Sequence, residues 1–432
     1  MSAFKIHMRH DWSLSGVRKY SRSCLGLFFC LLLASCGGGS SVGTGTSTGV
    51  TAPPPVVLPP LAANEVPVIV DSGPAGTRGI INQAYVSVTV CRPGTTACQI
   101  IDHVLVDTGS VGLRLIASAV LGLDLPLARH SGGLAIGECA KFASGYQWGS
   151  VRQADVKMAS ELASSLSIHL VADASPEFAS VPADCQSAGH NLGSVAALGA
   201  NGILGLGFFK EDCGQACVGS ASSGDYYYAC GAGFCSNSVL PLAQQVSNPV
   251  ASFSRNNNGV LMVMPGIASG GATKLTGSLI FGVGTQSNNL IAGETVYAAN
   301  GSGNFTTTYN GKVLTASFLD SGSNGYFFED KTIPVCTVST SFYCPRTVTA
   351  FSAINRSFDG RSSGLVNFRL DAVDNLTAGT VAAQIAGGGG GFSAGFVSNS
   401  FDWGLPFFFG RRVFIAMQGV ATPNGNGPYW AY

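Results

Sequence analysis

The segment Val104-Leu105-Val106-Asp107-Thr108-Gly109-Ser110 returns, slightly altered, as Ser317-Phe318-Leu319-Asp320-Ser321-Gly322-Ser323. Each copy is an apolar strand running into Asp, a hydroxyl residue, Gly and Ser. One such motif reads as an ordinary polar turn after a strand, because Asp, Gly and Ser are all turn residues. Two of them in one chain point to a duplicated unit that supplies one carboxylate from each half. Carboxylates forced together cannot both ionise easily, so the pair retains a proton and can activate water. The repeat therefore constrains fold and chemistry together.

The context of the motifs is repeated as well. Ala84 to Val90 reads as an alternating strand, Arg92 to Ala97 as a turn, and Gln99 to Val106 as the return strand into Asp107. In the second half Phe305 to Tyr309, the turn Asn310-Gly311 and Lys312 to Leu319 lead into Asp320. Asn-Gly between strands is the strongest short-range hairpin signal. A Gly-broken apolar strand follows each motif, at Asn201 to Gly207 and at Trp403 to Phe408. Helical signals are few: Val111 to Leu121 reads as a short helix or strand, and Leu240 to Val246 as a turn or two of helix. Residues 386–393, nearly all Gly, read as a mobile surface loop. Glycine at 58 of 432 residues and charged residues at only 11% suit an all-β, turn-rich chain. The length accommodates two lobes, an N-terminal β lobe over 66–250 carrying Asp107 and a C-terminal β lobe over 251–432 carrying Asp320. The 23 basic and 23 acidic residues cancel, and the absence of a basic stripe argues against a nucleic-acid partner.

At the amino terminus Lys5, Arg9, Arg18, Lys19 and Arg22 precede an apolar run from Leu25 to Leu33. The run is too short to span a bilayer but suits a signal-peptide core. It ends in Leu33-Ala34-Ser35-Cys36, which resembles a bacterial lipobox, where the signal is cut before a cysteine that receives the lipid. Residues 1–35 are then a lipoprotein signal peptide, Cys36 is the lipidation site, and 36–65 form a disordered tether of Gly, Ser and Thr followed by prolines. Gly37, rather than Asp, after Cys36 implies sorting to the outer membrane. With Cys24, Cys30 and Cys36 so assigned, the remainder of the thirteen cysteines is even in number, as expected of disulfides in an exported protein. Cys91 and Cys98 flank a Pro-Gly turn, and Cys336 and Cys344 another short loop. Cys213, Cys217, Cys230 and Cys235 crowd one segment with Cys139 and Cys185 upstream, and their pairing stays open. The cluster contains no histidine and its spacings suit zinc poorly, so no metal and no cofactor is expected.

Four segments in correct order, D-T-G-S at 107–110, N-G-I-L-G-L-G at 201–207, G-S-L-I-F-G at 277–282 and D-S-G-S at 320–323, resemble those of the pepsin-like aspartic peptidases. More narrowly, the chain is similar to a group of bacterial lipoproteins with that fold. The resemblance implies a mainly β, two-lobed acid-protease β-barrel architecture with a cleft between the lobes, working as a monomer on an extended peptide or protein. Asp107 and Asp320 become the catalytic pair, holding one water between them at the cleft floor. One carboxylate takes a proton from water while its protonated partner polarises the peptide carbonyl. Gly109 and Gly322 admit backbone N–H groups to the inner carboxylate oxygens without a Cβ in the way. By the same resemblance Thr108 and Ser321 form a hydroxyl-to-backbone grip between the lobes, and Ser110 and Ser323 hold the outer carboxylate oxygens.

The family's flap hairpin falls on Tyr146 to Val151, which makes Tyr146 the candidate flap tyrosine and Trp148 a second covering side chain. Where the family carries a tryptophan shortly after the first motif, this chain has Arg114 and Leu115. His103, on the strand before Asp107, reads as structural, and His130, His169 and His190 show no ligand spacing. Serine catalysis lacks a G-x-S-x-G elbow. Two function classes follow: a lipid-anchored aspartic endopeptidase of the cell envelope, or a binding or scaffold lipoprotein on the same fold with little activity. The Cys-rich segment 211–236 suits either, as a wall of the cleft or as a docking surface.

Overall fold

The computed structural model describes residues 61–432 apart from 222–225, 269, 376–380 and 389–397. The signal peptide, Cys36, the tether up to residue 60 and most of the glycine run at 386–393 lie outside the described residues.

The chain is mainly β. In the first half the strands are β1 (Glu65–Val70), β2 (Ala84–Cys91), β3 (Cys98–Asp107), β4 (Val111–Ile116), β5 (Ala135–Phe142), β6 (Gly145–Met158), β7 (Glu161–Val171), β8 (His190–Asn191), β9 (Gly202–Leu206), β10 (Tyr227–Gly231) and β11 (Phe234–Asn237). Strand β2 pairs with both β3 and β6, and the remaining neighbours run β6, β7, β4, β9, β3, so six strands close on themselves as a barrel. Closure removes free sheet edges. It also fixes how Val111 to Leu121 folds. Strand β4 lies between β7 and β9, all six of its residues are buried, and only Ala117–Ala119 beyond it coils into a 3-10 turn. A run buried on both faces carries no period that separates strand from helix. Leu240 to Val246 contributes a single 3-10 turn, Leu242–Gln244.

The second half contains β12 (Gly259–Met264), β13 (Leu275–Phe281), β14 (Val296–Ala298), β15 (Phe305–Tyr309), β16 (Lys312–Asp320), β17 (Tyr326–Phe327), β18 (Thr349–Arg356), β19 (Ser363–Leu370), β20 (Ala386–Gly387), β21 (Asp402–Gly404), β22 (Arg411–Ala416), the small hairpin β23 (Ala421–Thr422) with β24 (Gly425–Asn426), and β25 (Tyr429–Ala431). Strand β1 joins the halves. It pairs with β2 on one side and along its whole length with β13 on the other, and the sheet continues through β12, β22, β25 and β14.

The local plan around each Asp is the same in both halves. Strand β3 runs parallel to β9 with Asp107 opposite Gly205, and β9 pairs antiparallel with β4, the strand after the motif. Strand β16 runs parallel to β21 with Asp320 opposite Gly404, and β21 pairs antiparallel with β17. Behind the second motif the core is aromatic: Phe401 stacks on Trp403 at 4.0 Å and on Phe328 at 4.5 Å.

The disulfides are Cys91–Cys98, Cys139–Cys185, Cys213–Cys217, Cys230–Cys235 and Cys336–Cys344. Five of them mark a protein matured outside the reducing cytoplasm. The Cys-rich segment is a sheet extension: β10 adds to the edge of β5, from Tyr227 opposite Glu138 to Cys230 opposite Ala135, and β11 follows. Among the described residues no helix is long and apolar enough to cross a membrane.

Candidate active site

Each motif loop folds around its own carboxylate. Gly109 N–H donates to Asp107 Oδ1 at 2.9 Å and the Ser110 hydroxyl to Oδ2 at 2.6 Å. Gly322 N–H donates to Asp320 Oδ1 at 2.8 Å and the Ser323 hydroxyl to Oδ2 at 2.8 Å. Every oxygen thus has a donor within its own loop, which fixes the plane of both groups.

The loops then interlock. Ser321 N–H donates to Thr108 Oγ1 at 3.0 Å while the Thr108 hydroxyl donates to Leu319 O at 3.1 Å. In return Thr108 N–H donates to Ser321 Oγ at 3.2 Å and the Ser321 hydroxyl to Val106 O at 2.7 Å. Thr108 and Ser321 are buried, so these four bonds replace water that neither loop could retain.

The interlock brings each carboxylate over the opposite glycine. A Cβ on Gly109 would stand 2.7 Å from Asp320 Cγ, and a Cβ on Gly322 would stand 2.7 Å from Asp107 Oδ1. Only residues without a side chain allow this approach. Burial, the charge of Asp107 and a hydrogen bond with Asp107 together raise the Asp320 carboxyl well above the ordinary carboxylate range. The pair therefore keeps a proton where isolated aspartates have lost theirs.

A third carboxyl, Asp402, adjoins the pair. It lies in β21 with Phe318 of β16 and Phe327 of β17 as its register partners, and it has no solvent exposure. Burial first, then the charges of Asp320 and Asp107, raise it well above the ordinary range. Sequence reading passed over Asp402 because it isolated the apolar run from Trp403 onward. The available signal was the contrast between the halves. Two positions before the Gly opposite each Asp stands Ile203 in one copy and Asp402 in the other.

Tyr146 and Trp148 are both buried, in a satellite core with Cys139, Cys185, Phe178 and Tyr228. The Trp148 indole N–H donates to Phe178 O at 3.0 Å, and its ring meets Tyr228 edge-on at 5.1 Å. The tip of their hairpin is the two-residue turn at 143–144 between β5 and β6. Arg114 anchors a second buried cluster. Its guanidinium donates to Glu138 Oε1 at 2.8 Å and Asp212 Oδ2 at 2.9 Å, and Tyr227 OH donates to Asp212 Oδ1 at 2.5 Å. His169 is buried beside them, with Nδ1 3.3 Å from Glu138 Oε2. Burial, and then the Arg114 charge, hold this imidazole well below its ordinary 6.5. His103 packs edge-on against Tyr85 at 5.1 Å and lies 3.5 Å from Asp71.

The chain belongs to the family described as a protein of unknown function, DUF3443, whose model matches residues 60–432. No curated protein matches it. Among solved structures, the chain is similar to the aspartic proteinase from Irpex lacteus, at 15% identity over 85% of this chain and 96% of that one, with a TM-score of 0.46.

Proposed function

We propose that this protein is an aspartic endopeptidase of the bacterial cell envelope, lipid-anchored at Cys36 of the outer membrane, with extended peptides or proteins as substrate. The observation that carries the reading is the crossed arrangement of Asp107 over Gly322 and Asp320 over Gly109. Two carboxylates held this way share one proton and can hold one water between their inner and outer oxygens. In the reaction the ionised carboxylate accepts a proton from that water as its oxygen adds to the scissile carbonyl carbon. The partner carboxyl donates its proton to the carbonyl oxygen, giving a neutral gem-diol. The newly protonated carboxyl then gives its proton to the leaving nitrogen as the C–N bond breaks, while the other carboxylate takes a proton from a gem-diol hydroxyl as the carbonyl re-forms, so the pair ends singly protonated. A cofactor has no part in these steps.

The reading is tested by comparing wild type with Asp107→Asn and Asp320→Asn on a peptide library from about pH 3 to 7, each single substitution being expected to lower cleavage by about 10³-fold or more. Cleavage that survives both substitutions overturns it. Membrane fractionation of Cys36→Ala tests the anchor, with the variant expected in the soluble fraction. The alternative, a binding lipoprotein with little turnover, draws support from Tyr146 and Trp148, whose rings are engaged in a buried core. It predicts a wild type as inert as the two Asn variants.

A further inference from the structure

The second motif loop is held at its exit from the opposite half of the molecule. Asn82, in the segment between β1 and β2, has no solvent exposure. Its amide Nδ2 donates to Asn324 O at 2.9 Å and to Ala382 O at 2.6 Å, while Ala382 N–H donates to its Oδ1 at 2.8 Å. Both amide protons are thereby used. The backbone at Asn82 is left-handed, with φ at 52°, a conformation that Asn adopts more readily than most residues. The preceding residue, Ile81, is buried with Phe327, Phe342 and Ile385 of the second half. The segment is therefore seated in that half by packing as well as by hydrogen bonds.

Asn324 follows Ser323 and is the fourth residue after Asp320. Its counterpart in the first motif is Val111, the fourth residue after Asp107. There too the carbonyl oxygen accepts from a buried side chain, because Arg114 Nη1 donates to Val111 O. The two exits are gripped alike but from different places. Arg114 belongs to the same half as the loop it holds, and Asn82 belongs to the other. From its own half, the second loop is held by Leu405 N–H, which donates to Ser323 O at 2.7 Å.

The exit of this loop is coupled to its carboxyl through two short links. Gly322 N–H and the Ser323 hydroxyl hold the two oxygens of Asp320, and both residues lie between Asp320 and Asn324. We propose that Asn82 is a positioning residue for the water-activating pair: by fixing Asn324 O from the first half, it sets how closely Asp320 stands to Asp107. The Thr108–Ser321 grip fixes the middle of the interlock, and Asn82 fixes the exit of the second loop. This role rests on the peptidase reading, so its test includes a measurement that needs no cleavage.

The molecule contains its own control. Asn258 is also buried and makes the same set of bonds, with Nδ2 donating to Val283 O at 2.9 Å and Ala421 O at 3.2 Å and Oδ1 accepting from Val283 N–H at 2.8 Å. None of its partners lies in a motif loop. Asn82→Gly and Asn258→Gly are compared on the full chain, and glycine accepts the left-handed backbone at position 82 without strain. Asn82→Gly is expected to lose about tenfold or more in kcat with KM within about threefold of wild type, because misplaced reacting groups cost transition-state stabilisation. Asn258→Gly is expected to keep kcat within about threefold. The second measurement is the infrared carboxylic-acid C=O band that Asp320→Asn removes. Carboxyls that stand further apart repel each other less, so the pH midpoint of this band should move lower in Asn82→Gly and stay in place in Asn258→Gly. Equal kcat losses in the two glycine variants, or an unshifted midpoint in Asn82→Gly, overturn the role. Asn82→Asp keeps the volume, the backbone and the acceptor for Ala382 N–H, but once ionised it has no proton for Asn324 O. Its kcat relative to wild type should fall as pH rises, and a ratio that stays flat near one overturns the role as well. A wild type that cleaves nothing defeats the peptidase reading and leaves the infrared midpoints to decide what Asn82 positions.

Discussion

At the scale of single residues, the site depends on what is missing as much as on what is present. Gly109 and Gly322 each lie under the carboxyl group of the opposite half, where a methyl group would come within 2.7 Å. Gly322→Ala must push the loops apart, so cleavage should fall by about 10²-fold or more, as misplacing reacting groups by an ångström does. Overpacking should also cost about 1–3 kcal/mol of stability, read by denaturant unfolding. Unchanged activity in this variant would mean that the two carboxyls need not meet. Thr108→Val tests the grip in a different way. It keeps the volume but leaves Ser321 N–H without its acceptor and Leu319 O without its donor, an expected loss of about 1–3 kcal/mol in the same measurement. These roles followed from the family resemblance that the two motifs carry, because the donors and acceptors lie within the repeated segments even though the bonds join residues 213 positions apart. The roles of Asp402 and Arg114 were not legible in the sequence, because their surroundings are assembled from afar. Arg114 meets Asp212, 98 residues away, and Asp402 becomes an acid among acids only once β21 lies beside β16.

At the scale of elements, local signals and remote ones divide in the same way. The hairpin of β15 and β16 turns at Asn310-Gly311, as its dipeptide requires. The pairing of β1 with β13 left no mark in the sequence, since nothing in six alternating residues names a partner two hundred positions away. The Cys-rich segment shows what such remote pairing achieves. As β10 and β11 it widens the sheet at β5, while Tyr146 and Trp148 of the adjoining hairpin are held down by the Cys139–Cys185 disulfide and its neighbours. Cys139–Cys185 closes a span of 46 residues, against 4 to 8 for the other four disulfides. Loop closure then assigns it about 4 kcal/mol, and about 2 kcal/mol to each short bridge. Cys139→Ala/Cys185→Ala should therefore unfold at distinctly lower denaturant than Cys91→Ala/Cys98→Ala. Equal midpoints would show that the hairpin is held by its aromatic packing and not by the covalent link.

At the scale of the whole molecule, the buried titratable groups pull stability in opposite directions with pH. His169 is neutral in the fold, held well below its ordinary 6.5 by burial and then by Arg114. The unfolded chain takes up a proton near pH 6.5 that the native state refuses, so stability falls as pH drops below that value, at up to about 1.4 kcal/mol per pH unit. Asp320 and Asp402 behave in the reverse sense. Their native carboxyls are raised above the ordinary 3.8, so the stability they contribute is complete below that value and is lost as pH rises toward their native range. Asp173, Asp184 and Asp330 are lowered, against their burial, by the hydrogen bonds they accept and favour the fold above 3.8, adding to the acid-side loss. The fold thus loses stability in acid as His169 is forced to take up a proton, while its carboxyl pair retains a proton above the ordinary aspartate range. Denaturant unfolding of wild type, His169→Gln and Asp402→Asn across about pH 4 to 8 separates the two limbs. His169→Gln should gain on wild type steadily as pH falls below about 6.5, and Asp402→Asn should gain on it as pH rises. A His169→Gln difference that stays flat with pH would mean that the imidazole takes up its proton in the fold as it does in the unfolded chain, and that acid sensitivity arises from the carboxylates alone.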